Sequence, residues 1–378
     1  MDIPGVMDKT DSFFHRLSTS QKEEYKVRLE KWKLINKPNF LGRVHRELSS
    51  EYEHLEMVQA CCRAFCGTDL AIKTGFHFVC AEPLIEFGGL QEGNKSFDLL
   101  LFNDTSKKAI FIECKSSISS VKNVSTEIEQ SIQLVQKNKE YLSERIDDTI
   151  SWDDCEYVLC IADKDSEKIH QSKDDSIQKN KSSMLNRDGF VIWIFHPFSK
   201  IAQISEKYSH ADPVLHELLQ MGTEKKSLQT RLDIPYCITS HPYIIIEQAV
   251  LGQCYPKQYA KRESIEDPKR ITKNLMMNEM MKSISLVTSP SVKKDMVKRK
   301  LEEVVAYGLR YDLFADEDKE SFRINCRGER TKTVVDVLKE KYIENWAVYE
   351  ATIEARLKVE DEMMKTISQK EISDFGKK

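Results

Sequence analysis

Apolar positions along this chain follow two rhythms. Short, nearly continuous apolar runs occur at "FHFVCAEPLIEF" (76–87), "SFDLLLF" (96–102), "AIFIECKSS" (109–117), "YVLCIA" (157–162) and "GFVIWIF" (189–195). Runs of this length between turn residues such as "GGLQEGNK" and "NDTSKK" read as strands. Helical spacing marks 8–36 and 45–66, with "NKPNFLG" at 36–42 expected to break one helix from the next. A long amphipathic helix is expected over 125–146, capped by Ser125 or Thr126, and a polar helical segment over 173–187. The order α-β-β-β-α-β-α-β implies a mixed sheet flanked by helices and ending near residue 200.

Beyond residue 200 the texture changes to long polar helices interrupted by "DIPY", "SHPY" and "EDPKR". Residues 257–300 hold twelve Lys or Arg against five Asp or Glu, an excess of seven positive charges in a chain whose formal net charge is −4. A helix at 293–314 followed by strand-like "SFRINCRGERTKTVV" (321–335) has the order of a winged helix-turn-helix. Residues 334–370 read as a long charged helix. The division this suggests is an N-terminal helical segment (1–44), an α/β domain (45–200) and a mainly helical domain (201–378).

Composition narrows the class. An apolar fraction of 40% with 31% charged residues describes a globular protein with a highly charged surface. No apolar run approaches the ~20 residues that span a bilayer, and the first residues show no secretory pattern. A cytoplasmic protein with no membrane contact is the expectation. The ten cysteines show no zinc-finger or disulfide spacing and read as reduced, small core residues. No Walker A loop, no GxGxxG after a strand and no HExxH occur.

Candidate chemistry sits where two strands end. Side chains alternate along a strand, so Phe111, Glu113 and Lys115 share one face and Ile110, Ile112 and Cys114 the other. If 96–102 and 109–117 pair as a hairpin, Asp98 and Glu113 come to one side. Two adjacent carboxylates repel unless a cation neutralises them, and Mg²⁺ takes few carboxylates while keeping several waters. Lys115 then falls beside the metal-bound water, where it can orient that water and stabilise developing negative charge. On the preceding helix, Leu55, Val58, Cys62 and Phe65 lie within about 40° of Glu51, whereas Glu53 and Glu56 point away. Glu51 is therefore either a third carboxylate of the site or a helix-start residue at the edge of the buried face. Gln130 on the following helix is either a water- or phosphate-positioning side chain or solvated surface.

Asp98 in "SFDLLLF" with Glu113 and Lys115 in "IECKSS" resembles the PD-(D/E)xK nuclease superfamily. Residues 45–200 carry the resemblance, with Phe97 where the family has its proline. It implies a restriction-endonuclease-like α/β fold, a mixed β-sheet flanked by helices, with a mainly helical C-terminal domain. It also implies a Mg²⁺-dependent DNA endonuclease (Mn²⁺ substituting), catalytic Asp98, Glu113, Lys115 and Glu51, with metal ligands Asp98, Glu113 and Glu51. A type II restriction enzyme acting on DNA as a homodimer is the first expectation. The alternatives are a repair, recombination or transposase-like nuclease subunit, and a non-catalytic DNA-binding protein on the same scaffold.

Overall fold

The computed structural model describes residues 11–85, 96–178, 184–223, 234–260, 267, 269–315, 318–326 and 332–375. The turn at "GGLQEGNK", the start of "EDPKR" and the basic turn at 327–331 lie outside them. The described chain divides into two compact units that are discontinuous in sequence: 1–49 with 249–276 and 301–378, and 50–248 with 277–300. Residue 200, expected as a boundary, lies inside the second unit.

That second unit is built on a six-stranded sheet whose spatial order is the chain order: β1 (Phe76–Ala81), β2 (Leu99–Asn103), β3 (Lys108–Lys115), β4 (Glu156–Ala162), β5 (Phe190–His196) and β6 (Ile201–Ile204). β1, β2 and β3 form an antiparallel meander; β3, β4 and β5 run parallel; β6 returns antiparallel. The central strands are buried along their whole length, which is why their sequences lack alternation. The parallel steps need crossovers, supplied by helices Val121–Lys137 and Lys139–Arg145 between β3 and β4, and Ser166–Gln178 between β4 and β5. The 125–146 segment is thus two helices meeting at Asn138, and its cap is Ser120, whose hydroxyl accepts from the Asn123 N–H at 3.4 Å. β6 is an additional strand; "IAQI" is too short to stand out in the sequence.

The expected break at 36–42 does not occur. One helix, α2, runs from Thr19 to Ala64 with Pro38 inside it; α1 is Asp11–Arg16. A proline removes one helical hydrogen bond and crowds the preceding turn. Here Tyr25, Phe40, Val44 and Leu48 are buried on both sides of it, and Trp32 packs on Phe40 with ring centroids 6.3 Å apart. That burial outweighs the local penalty. Residues up to 49 of α2 belong to the first unit and the rest to the second.

In the first unit, the last helix (Val334–Phe375) packs Val359 and Met363 with Leu17 and Tyr25, and the Tyr25 hydroxyl donates to Glu360 at 3.2 Å. A three-stranded sheet of β7 (Arg270–Thr272), β8 (Phe314–Ala315) and β9 (Ser321–Ile324) has the order β7-β9-β8. Helices Lys273–Ser283 and Pro290–Arg310 lie between β7 and β8 in the chain.

Candidate functional site

Asp98, Glu113 and Lys115 are delivered by strand ends. β2 and β3 pair with Leu99 opposite Ile112, so one further step places Asp98 opposite Glu113. Phe97, in the position preceding the carboxylate, anchors that strand start in the core: its ring lies 5.6 Å from Phe111 and 5.7 Å from Tyr157. Asp98 Oδ2 accepts the backbone N–H of Cys114 at 2.6 Å, which ties the two strand ends together. β3 ends at Lys115, and its exit is held by Asp165, whose carboxylate accepts the Ile118 N–H at 3.0 Å.

The charges form one network. Lys115 Nζ lies 2.7 Å from Glu113 Oε1 and 3.4 Å from Glu127 Oε2. His54 Nε2 lies 3.4 Å from Asp98 Oδ1. Glu113 Oε2 is buried with no hydrogen-bond partner among the described residues. Burial, followed by the Asp98 charge, pushes the Glu113 carboxyl up to about 7. For Asp98 burial works the same way, but His54, Lys115 and the Cys114 N–H outweigh it and hold this carboxyl below its ordinary value. Burial disfavours the charged form of His54 too. The Asp98 carboxylate overrides this and raises the imidazole to about 9. Lys115 is likewise held protonated by Glu113 and Asp98 against the cost of burial. Two adjacent strand-end carboxylates with opposite shifts, flanked by two cations, are what mutual repulsion in a low-dielectric setting produces.

Of these groups, His54 and Lys115 line a cavity of about 310 Å³, while Asp98 and Glu113 are not among its lining residues. Ser50, Glu51 and His54 line it from α2, and Cys114, Lys115, Ser116 and Ser117 from the end of β3. Ser50 and Ser116 hydroxyls meet across it at 3.1 Å. The remaining wall is Cys237, Thr239 and Ser240. Glu82 holds that wall: its carboxylate accepts the Ile238 N–H at 2.8 Å, the Thr239 N–H at 3.2 Å and the Thr239 hydroxyl. Glu82 itself turns the chain after β1 with φ 46, and its N–H donates to the Asp98 carbonyl at 2.9 Å. A non-glycine residue in this conformation is uncommon, and it aims the carboxylate inward.

The structure brings Asp98, Glu113 and Lys115 together and puts Glu51 on the cavity wall. Glu53 and Glu56 instead pair with Lys164 and Lys200 on the exposed side of α2. Gln130 is exposed and is not among the cavity-lining residues; Glu127, one turn earlier on the same helix, reaches Lys115. His54 was missed by the sequence reading. Its signal was available, since it follows Glu51 by three residues and shares the inward side of α2.

No family model and no solved structure matches the chain. An "Uncharacterized protein" of Archaeoglobus fulgidus is 24% identical over 340 residues, 87% of this chain and 90% of the archaeal one. The similarity therefore runs through both units. No helix among the described residues is long and apolar enough to cross a membrane.

Chemically, the site offers hard oxygen donors from Asp98, Glu113 and Glu51, with Lys115 and His54 as cations beside them. The partnerless Oε2 of Glu113 suits a hard divalent cation, which takes one or two carboxylates and keeps its waters. The three carboxylates do not converge as a tight trio. Among the described residues, the one group of three ligand atoms within 4.8 Å of one another is made of sulfur.

Proposed function

We propose that this protein is a metal-dependent endodeoxyribonuclease of the PD-(D/E)xK kind, hydrolysing DNA phosphodiester bonds in the manner of a type II restriction enzyme. The observation that carries this reading is Asp98 opposite Glu113, with Lys115 2.7 Å from Glu113 at a polar cavity. The element order supports it as well. A helix, an antiparallel meander, a crossover and a parallel strand set both carboxylates at adjacent strand ends.

Asp98 and Glu113 would hold Mg²⁺, or Mn²⁺ in its place, with Glu51 nearby on the cavity wall. The ion would supply Lewis-acid polarisation of the phosphate and a lowered pKa for bound water. The chain's own residues do the rest. Lys115, kept protonated, orients the attacking water and stabilises charge developing on the phosphate oxygens. His54, also cationic at neutral pH, holds Asp98 in place and adds positive potential toward a phosphate. Ser50 and Ser116 offer hydroxyls at the cavity wall. The chain order β7, two helices, β8, β9 with sheet order β7-β9-β8 is that of a winged helix, and supports DNA as the substrate. Cutting both strands requires two such sites, hence a homodimer on DNA.

The test is incubation of purified protein with plasmid and phage DNA, with Mg²⁺ or EDTA, followed by end-sequencing of fragments. Mg²⁺-dependent fragments with defined ends are expected. Loss of cleavage in Glu113→Ala and Lys115→Ala is expected too. Cleavage by either variant at the wild-type rate overturns the assignment.

A further inference from the structure

On the other face of β3 the fold assembles a second set of donors. Cys61 of α2, Cys114 of β3 and Cys160 of β4 are each 0% exposed, and their Sγ atoms lie within 4.8 Å of one another. Cys61 and Cys160 sulfurs are 3.8 Å apart. The topology explains the meeting. Cys114 and Cys160 are register partners on parallel strands, so their side chains stand side by side on one face. Cys61 comes from the part of α2 that packs into the same core.

The 3.8 Å separation of Cys61 and Cys160 fits two ligands of one ion. A metal–thiolate bond of about 2.3 Å separates sulfurs by about 3.8 Å around a tetrahedral ion and about 4.0 Å around a trigonal one. We propose that Cys61, Cys114 and Cys160 form a three-sulfur site for one soft d¹⁰ cation, Cu⁺ or Zn²⁺. Sulfur donors select such ions over Mg²⁺ or Ca²⁺, so this site and the carboxylate cavity take ions of different chemistry. Among the described residues no further His, Cys, Asp or Glu joins the trio. A coordination number of three satisfies Cu⁺ as it stands, and Zn²⁺ completes its shell with one small ligand. On binding, three metal–sulfur bonds form and the S–H protons leave to solvent, with no change of oxidation state. The ion joins α2, β3 and β4 immediately behind Glu113 and Lys115. The site stands independently of the nuclease reading, because it rests on sulfur geometry alone.

The experiment titrates reduced full-length protein anaerobically with Cu⁺ and, in a separate arm, with Zn²⁺. Retained metal is then measured by mass spectrometry and the first shell by X-ray absorption. One equivalent per chain in at least one arm is expected, with a first shell containing three sulfurs at about 2.3 Å. Cys61→Ala and Cys160→Ala lose the bound equivalent, and Cys155→Ala, a buried cysteine outside the trio, keeps it. Circular dichroism accompanies each variant, and the wild-type absorption spectrum decides the question if a core variant unfolds. Absence of retained metal in both arms, or a shell of nitrogen and oxygen only, overturns the proposal.

Discussion

Replacing Glu113 by Gln should stabilise the metal-free protein at alkaline pH and leave it nearly unchanged at acid pH. The Glu113 carboxyl has an ordinary value near 4.5 and is pushed up to about 7 in the fold. A carboxyl whose folded pKa is raised favours the fold fully below the unfolded value. That contribution fades as pH rises through the folded one. At ~1.4 kcal/mol per pH unit, the wild type loses about 2–3 kcal/mol from this group between pH 5 and pH 8.5. The amide mimics the protonated acid, so its steric cost is common to both conditions, and it removes the titration. For a unit of this size, that free energy is roughly 5–10 °C in melting temperature. The assay is scanning calorimetry of both proteins at pH 5 and pH 8.5 with EDTA, which keeps divalent cations out of the cavity. The variant should gain on the wild type as pH rises. Parallel pH profiles for the two proteins would refute the claim that burial and Asp98 raise the Glu113 carboxyl.

Three further outcomes are expected. His54, raised to about 9 by Asp98, contributes stability that is complete below its unfolded value near 6.5 and lost as pH rises through 9. The destabilisation by His54→Gln should therefore be larger at pH 6 than at pH 10, measured by urea unfolding. His241 is depressed to about 4 by burial and then by Lys300, and its Nδ1 accepts the Tyr243 N–H at 3.2 Å, which requires an unprotonated ring. Here the unfolded chain takes the proton first, so stability falls by about 3 kcal/mol between pH 6.5 and 4; His241→Gln should flatten that limb of the pH profile. Finally, a Cβ on Gly308 would meet the Phe314 ring at 2.1 Å, and that ring is pinned 4.3 Å from Phe322. Gly308→Ala should cost about 1–3 kcal/mol by denaturant unfolding, the usual range for overpacking.

The strands were readable because they are buried on both faces, and such runs stand out without any alternation. Glu113, Lys115 and Asp98 were readable because register and alternation are local properties of one hairpin. Glu51 followed from helical phase, and the same reasoning would have found His54 had a histidine been weighed beside the glutamates. Helix α2 was misread at Pro38 because breaker residues report the local penalty and are silent about the burial of Phe40 and Val44. Gln130 and Glu127 differ by three positions on one helix, and spacing alone does not say which of the two faces Lys115. Nothing local announces that Glu82 holds Ile238 and Thr239, or that three cysteines with no common spacing meet in the core. Such contacts exist only after the chain has closed over long separations.

The sheet's unbroken strand order has a consequence for how the protein is made. Each strand pairs with the one synthesised just before it, so no loop to be closed exceeds the ~40 residues between β3 and β4, and the sheet can grow as the chain leaves the ribosome. The cavity cannot be completed on that schedule. The wall held by Glu82 arrives 156 residues later, at Ile238. Until then the nascent chain carries a finished sheet with an open pocket and a buried carboxylate lacking its donors. Closure of this cavity is therefore a late, long-range event, and a chain ending between Ile204 and Ile238 should form the sheet and the Asp98–Glu113–Lys115 cluster without the wall held by Glu82.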